Sequence, residues 1–356
     1  MTACATGSDS QASATSAWTA TTTVRVHYPA GASITLRGGG PLAWDRDAST
    51  SASGDVYTFT SDAISSRIEL KPLASGAWAK GPNFAVNPGE SLDIYPRFHS
   101  DSGHFERAIE DFGSSHLREH RGIWVYVPPS YDENTAARYP VLYMCDGQSL
   151  FPNFRNGDGS WHVDQALDDG ARDGSIREAI VVGIDSSAGR MNELTPTRDP
   201  DEGQGGNAGN YLAMVVDEIK PMIDRTLRTK AGREDTAIIG SSLGGVFAVY
   251  ASSTRSDVFG LAGVMSPATW WDNEVVYRIV DGAGGASLAR VYVDSGDSGT
   301  VNDDVGYTAD LVHHYEGRGY VHTRSLAYVV GRGDTHTESA WARRLPGALR
   351  FILGPR

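Results

Sequence analysis

The run Ala237-Ile238-Ile239-Gly240-Ser241-Ser242-Leu243-Gly244-Gly245-Val246-Phe247 constrains the fold more than any other stretch of the chain. Ala237 to Ile239 reads as a short buried strand, and an apolar helical pattern starts after Gly244. Between them lies G-S-S-L-G, an instance of G-x-S-x-G. A strand that turns into a helix over so few residues leaves the middle serine exposed on strained backbone. Glycines two before and two after it let neighbouring backbone come close. Ser242 is therefore the candidate nucleophile, and the first amides of the helix can face a developing oxyanion. The competing reading is a glycine-rich turn with an incidental serine. The strand before it and the helix after it favour the nucleophile.

The 356 residues suffice for two domains and a large core. No apolar run approaches the ~18–20 residues of a membrane span. The net charge of −13, with no basic stripe, argues against nucleic acid and anionic membrane as partners. Of the two cysteines, Cys145 falls in an apolar strand pattern and reads as a buried small hydrophobe, and no disulfide to Cys4 is expected. Residues 1–21 form a tail rich in Ser, Ala, Thr and Gly. Thr2-Ala3-Cys4 fits the remnant of a bacterial lipoprotein cleavage site. The expectation is an exported protein, periplasmic, extracellular or lipid-anchored through Cys4. The alternative is an ordinary disordered terminus on a cytoplasmic protein.

Residues 22–98 alternate apolar and polar positions in short runs such as Val24-Arg25-Val26-His27 and Ile34-Thr35-Leu36-Arg37. Turn residues separate the runs, which predicts a small all-β sandwich. Trp44 and Trp78 could serve as sugar-stacking platforms, but core or rim packing is the expected role. Residues 99–121 are polar and read as a connector. From residue 122 the rhythm changes to strands alternating with helices, as in Ile123–Val127, Tyr139–Met144, Ala179–Ile184, Tyr211–Leu227 and the elbow run. That pattern predicts a mostly parallel sheet covered on both faces over residues 122–356.

A serine nucleophile needs a base, and the base needs an orienting acid. In an α/β-hydrolase these follow in the chain order Ser, Asp or Glu, His. His336 lies between a strand and the last helix, where the base belongs. Thr335-x-x-Glu338 reads as a capping box for that helix, so Glu338 is taken as a cap. The loop Asp294-Ser295-Gly296-Asp297-Ser298-Gly299-Thr300-Val301-Asn302-Asp303-Asp304 offers several acids. A calcium loop is the rival there, but Gly296 and Ser298 fall where an EF-hand needs ligands. Gly147, after the second strand of this region, lets the backbone turn, so the amide of Gln148 would join that of Leu243 as an oxyanion donor. Trp270 or Trp271, leaving a strand at the carboxyl edge of the sheet, either lines the substrate pocket or closes the core.

Y-P-V-L-Y-M-C-D-G-Q-S-L-F at Tyr139 to Phe151, V-V-G-I-D followed by Arg190 and Glu193, G-S-S-L-G-G at Gly240 to Gly245, S-P-A-T-W-W at Ser266 to Trp271 and H-T-E-S-A-W-A-R-R-L-P at His336 to Pro346 together carry a resemblance. The chain resembles the esterase family of α/β-hydrolases that includes S-formylglutathione hydrolases, enterochelin esterases, bacterial feruloyl esterases and mycobacterial mycolyltransferases. The likeness spans about residues 122–356. It implies a serine esterase with Ser242, His336 and an acid from the Asp-rich loop, oxyanion donors at Gln148 and Leu243, and no cofactor or metal. The family's order of acid, helix, strand and histidine favours Asp304 or its neighbour Asp303, with Asp297 next. The front domain resembles the immunoglobulin-like or carbohydrate-module-like sandwiches that precede some of these esterases.

The expected activity is hydrolysis of a small-molecule or carbohydrate-linked carboxylic ester through an acyl-enzyme. Two alternatives stay open: acyl transfer to a sugar or lipid alcohol, and a non-catalytic binding protein on the same scaffold.

Overall fold

Apolar runs bounded by turns become strands in both halves of the molecule. The computed structural model describes residues 20–152, 160–285 and 287–354. Cys4 and the tail reading before residue 20 lie outside the described residues. The chain divides into two units, Met1–Trp78 with Asn83–Ile94, and Ala79–Pro82 with Tyr95–Arg356.

The first unit is an all-β sandwich of two sheets. Thr22–His27 lies between Val56–Ser61, to which it runs antiparallel, and Ser91–Ile94, to which it runs parallel. The second sheet is built around Ile34–Gly38 and Ile68–Ala74, paired antiparallel. Alternation works as the sequence implies: Val24 and Val26 are fully buried while Arg25 and His27 are half-buried. Trp44 and Trp78 are not core residues: they are 44% and 40% exposed, which leaves the rim of the two expected placements. Trp78 sits in the short strand Ala77–Trp78 at the end of its sheet, with no further strand paired beyond it among the described residues.

The second unit holds an eight-stranded sheet. Its strands are β1 (His104–Phe112), β2 (Arg121–Val127), β3 (Val141–Cys145), β4 (Ile180–Ile184), β5 (Thr236–Ser242), β6 (Leu261–Pro267), β7 (Arg290–Gly296) and β8 (Leu326–Gly331), in the order β1-β2-β4-β3-β5-β6-β7-β8. The first two pairings are antiparallel and the rest parallel. Residues 99–121 therefore do not form a plain connector. Residues 104–112 are the edge strand of this sheet, with two register shifts. Charged residues and irregular pairing blunt such an edge, and they also erase the period-two pattern that would reveal it.

The helices are α1 (Val163–Asp173), α2 (Ala208–Ala213, continuing through the π turn Met214–Ile219 into Lys220–Thr226), α3 (Leu243–Thr254), α4 (Trp271–Gly282), α5 (Val305–Gly317) and α6 (Glu338–Leu353). Two apolar layers flank the sheet. One joins Tyr143, Val182, Ile238 and Val264 to α2 and α3, and the other joins Leu142, Ile239 and Tyr292 to α1 and α6. Each large aliphatic side chain buried in this way contributes roughly 1.5–3 kcal/mol. Helix α3 is buried on nearly every side, which is why its sequence is apolar all round rather than striped. Among the described residues no helix is long and apolar enough to cross a membrane.

Candidate active site

The elbow is built by glycines. A Cβ on Gly240 would run into the backbone of Gly244, with the Gly244 Cα only 2.9 Å away. A Cβ on Gly244 would stand 3.2 Å from the Cys145 Cβ, at the end of β3. With both positions bare, β5 passes straight into α3, and Ser242 takes φ 56° and ψ −123°. Such a conformation costs a serine on the order of 1–3 kcal/mol and persists only where the surroundings impose it. Leu243 is the first residue of α3, so its amide has no acceptor within the helix.

Beside the elbow lies the loop after β3. Asp146 adopts the left-handed conformation (φ 57°, ψ 49°) and leads into a single 3-10 turn, Gly147–Ser149. Two clamps hold this turn. The Arg190 guanidinium donates to both oxygens of Asp146, at 2.7 and 2.8 Å. The Gln148 side chain accepts from the Ser186 N–H at 3.0 Å and donates to the Ser186 hydroxyl at 2.7 Å. Arg190 is itself placed by a short helical turn, Arg190–Glu193, whose Glu193 forms a fully buried bidentate pair with Arg121.

His336 follows β8, as expected. Its Nδ1 lies 2.5 Å from Oδ1 of Asp303. The other oxygen of Asp303 accepts from the Ser266 hydroxyl at 2.6 Å and from the Gly296 N–H. Asp303 is 1% exposed. Burial pushes its carboxyl up, but the bonds from His336, Ser266 and Gly296 outweigh that and hold it below the usual carboxylate range. Asn302, Asp303 and Asp304 are all left-handed, with φ of 51°, 49° and 53°. Asn and Asp are the non-glycine residues that best tolerate this region. The turn aims Asp303 at His336 and leaves Asp304 at the start of α5.

The other candidates separate accordingly. Burial moves the Asp304 carboxyl upward; His336 opposes this and the neighbouring Asp303 adds to it. Asp297 accepts from the Gly333 N–H at 2.7 Å and faces Arg332 rather than His336. Asp294 turns back into the sheet and is fully buried. There it meets Arg344 of α6, whose guanidinium also donates to Asp334 at 2.8 Å and to the Ser266 hydroxyl at 2.7 Å. Ser266 thus joins the Arg344 cluster to Asp303.

Ser242 and His336 line one cleft of about 310 Å³ together with Asp146, Gln148, Ser149, Trp161, Arg190, Ser241, Glu338 and Trp341. The His336 ring meets the Trp341 ring edge-on, with centroids 5.1 Å apart. Trp270 and Trp271 are not among the lining residues. Trp271 is fully buried and donates to the Thr197 carbonyl at 3.0 Å, while Trp270 is 38% exposed. The aromatic walls are Trp161 and Trp341 instead. The capping box does not form either: Thr337 caps α6 without a side-chain bond, and Glu338 opens onto the cleft.

Sequence reasoning missed Arg344, yet α6 carried a signal for it. Ala340, Trp341, Leu345, Ala348, Leu349 and Ile352 make an apolar stripe, and Arg344 sits within that stripe. A charge on an apolar face calls for a buried partner.

A family profile described as Putative esterase matches residues 114–352. The chain is 27% identical over 252 residues to the uncharacterized protein YbbA of Bacillus subtilis, covering 68% of this chain and 96% of that one. It is 26% identical over 200 residues to an endo-1,4-beta-xylanase/feruloyl esterase of Xylanibacter ruminicola, covering 53% of this chain but spanning only 25% of that longer protein. Among solved structures, the enterobactin esterase FES of Shigella flexneri shares the fold with a TM-score of 0.55 at 16% identity, over 93% of this chain and 92% of that one.

Proposed function

The chain belongs to this esterase family, and from that premise we propose that it is a serine carboxylic-ester hydrolase. The observation that carries the reading is the His336–Asp303 contact at the rim of the cleft that also holds Ser242 on its strained elbow. In the proposed reaction the Ser242 hydroxyl attacks the ester carbonyl and His336 takes its proton. Asp303, ionised and buried, fixes the imidazole tautomer and stabilises the imidazolium. The tetrahedral oxyanion accepts from the amides of Gln148 and Leu243. Gln148 lies within a single 3-10 turn and Leu243 starts a helix, so neither amide has an acceptor within its own element. His336 returns the proton to the leaving alcohol, and water then repeats the sequence on the acyl-enzyme to release the acid.

All the proposed groups belong to the α/β unit. The substrate is a small-molecule or carbohydrate-linked ester, in keeping with relatives named for feruloyl and enterobactin esters. The polar cleft, with Arg190, Asp146 and Glu338 beside two tryptophans, suits an ester that carries hydroxyl groups next to an aromatic or sugar ring. A fluorophosphonate probe tests the reading directly. It labels Ser242, and Ser242→Ala abolishes both labelling and turnover in a panel of aryl, feruloyl, acetyl-sugar and siderophore esters. Labelling at Ser241, or turnover that survives the substitution, overturns it.

A further inference from the structure

The front unit carries a feature that the ester chemistry does not use. Trp44 and Trp78 are both exposed, and their ring centroids lie 6.2 Å apart with the planes tilted by 40°. Trp78 is the cross-strand partner of Leu73, which is buried and backs it. Arg37 lies over the Trp78 ring at 5.4 Å and is fixed there by Asp47 at 2.5 Å. Strand register sets Arg37 opposite Lys71 and Thr35 opposite Leu73, so Thr35, Arg37, Lys71 and Trp78 share one face. Glu69, two residues before Lys71 on the same strand, is exposed on that face and accepts from Asn83 at 3.0 Å.

Large aromatic side chains left in water beside one another lose the burial that usually fixes them. The surroundings indicate what covers them. A protein partner would meet a broad apolar margin, whereas this pair is ringed by hydrogen-bonding groups. Two cations, Arg37 and Lys71, stand with two carboxylates, Asp47 and Glu69, so the patch presents no net sign. That balance does not attract a polyanion or an anionic bilayer. It does match a neutral ligand with flat apolar faces and edges rich in hydroxyl groups. A sugar ring has that chemistry: its C–H face packs on indole, and its hydroxyls both donate and accept.

We infer that the Trp44–Trp78 pair is a binding site for a neutral polysaccharide, separate from the ester cleft. Native electrophoresis of the full chain through gels containing wheat arabinoxylan, barley β-glucan or glycogen tests this. At least one of these polymers retards the protein. Trp44→Ala and Trp78→Ala each weaken that association at least tenfold, and the double substitution removes it. Asp47→Ala, which leaves both rings in place, weakens it several-fold. Each variant melts cooperatively and keeps its ester turnover, so a loss of retardation is read on folded protein. Unretarded migration in all three gels overturns the inference, as does equal retardation of the double variant. A double variant that only changes the sedimentation coefficient, from dimer to monomer, overturns it in favour of a self-association surface.

Discussion

Asp303 and His336, 33 positions apart in the chain, meet at 2.5 Å between Oδ1 and Nδ1. Neither Asp304 nor Asp297 makes that contact, although both are aspartates of the same loop. Asp303→Asn should lower kcat by about 10²- to 10⁴-fold, because the imidazole then loses the partner that selects its tautomer. Asp304→Asn and Asp297→Asn should cost little. Steady-state kinetics on the three variants decides among them, and full activity in Asp303→Asn would remove it from the mechanism.

Arg190 tests how far catalysis depends on the turn that carries Gln148. Its two bonds hold Asp146 in a left-handed conformation just ahead of that turn. Arg190→Met should reduce kcat about ten- to a hundredfold, bounded by the loss expected for removing an oxyanion donor outright. KM should move less. Arg190→Lys should recover little of the loss, since an ammonium cannot make the bidentate pair. A large rise in KM with kcat intact would instead mark Arg190 as a substrate contact.

The Arg344 cluster gives a pH-dependent signature. Burial raises the Asp334 carboxyl, but Arg343 and Arg344 outweigh it and hold the group below its ordinary range. A carboxyl depressed in the folded state stabilises the protein fully above its unfolded value of about 3.9, and that contribution is lost as the pH falls through the folded value. Asp334→Asn should therefore cost on the order of 2–3 kcal/mol at pH 7, with the buried Arg344 deprived of one partner. The gap between the two melting temperatures should close below about pH 4. A gap that persists at lower pH would show that packing, not charge, accounts for the loss.

Truncation locates the beginning of the α/β unit. Arg97 donates to the Ala171 carbonyl through two nitrogens at 3.2 Å and to Glu178 at 3.0 Å, all within that unit. A chain starting at Tyr95 keeps these bonds, and one starting at Ser100 leaves the half-buried Glu178 with Ser130 but without its cationic partner. The shorter chain should be less stable by about 1–3 kcal/mol, short of the cost of breaking a fully buried pair because Glu178 is half-buried and keeps Ser130. Denaturant titration of the two chains measures the difference, and equal midpoints would refute the role given to Arg97.

Much of the α/β fold and of the candidate site was legible in the residues. Parallel strands buried on both faces read as continuous apolar runs, and a nucleophile elbow needs small residues at defined offsets. What stayed hidden depends on direction rather than composition. Asp303 and Asp304 are indistinguishable until three successive left-handed residues decide which carboxylate turns inward. The edge strand at residues 104–112 carries charges and two register shifts, so no alternation survives to announce it. Whether Trp44 and Trp78 pack in the core or at the rim was not legible either; it is set by the edge position of the short strand Ala77–Trp78 and by the loop that carries Trp44. Arg344 was readable in principle, as a charge on the apolar stripe of α6.

The sheet order has a consequence for the time course of folding. Ser242 ends β5, Asp303 follows β7 and His336 follows β8, and β5 through β8 are joined by parallel pairings that need long crossovers. Contacts between residues so far apart form late, after local helices and collapse. On the proposed mechanism the serine therefore becomes reactive only when the last strands have docked. In a refolding experiment, helical circular dichroism should return first and fluorophosphonate labelling of Ser242 with the slowest phase, making the probe a clock for completion of the sheet.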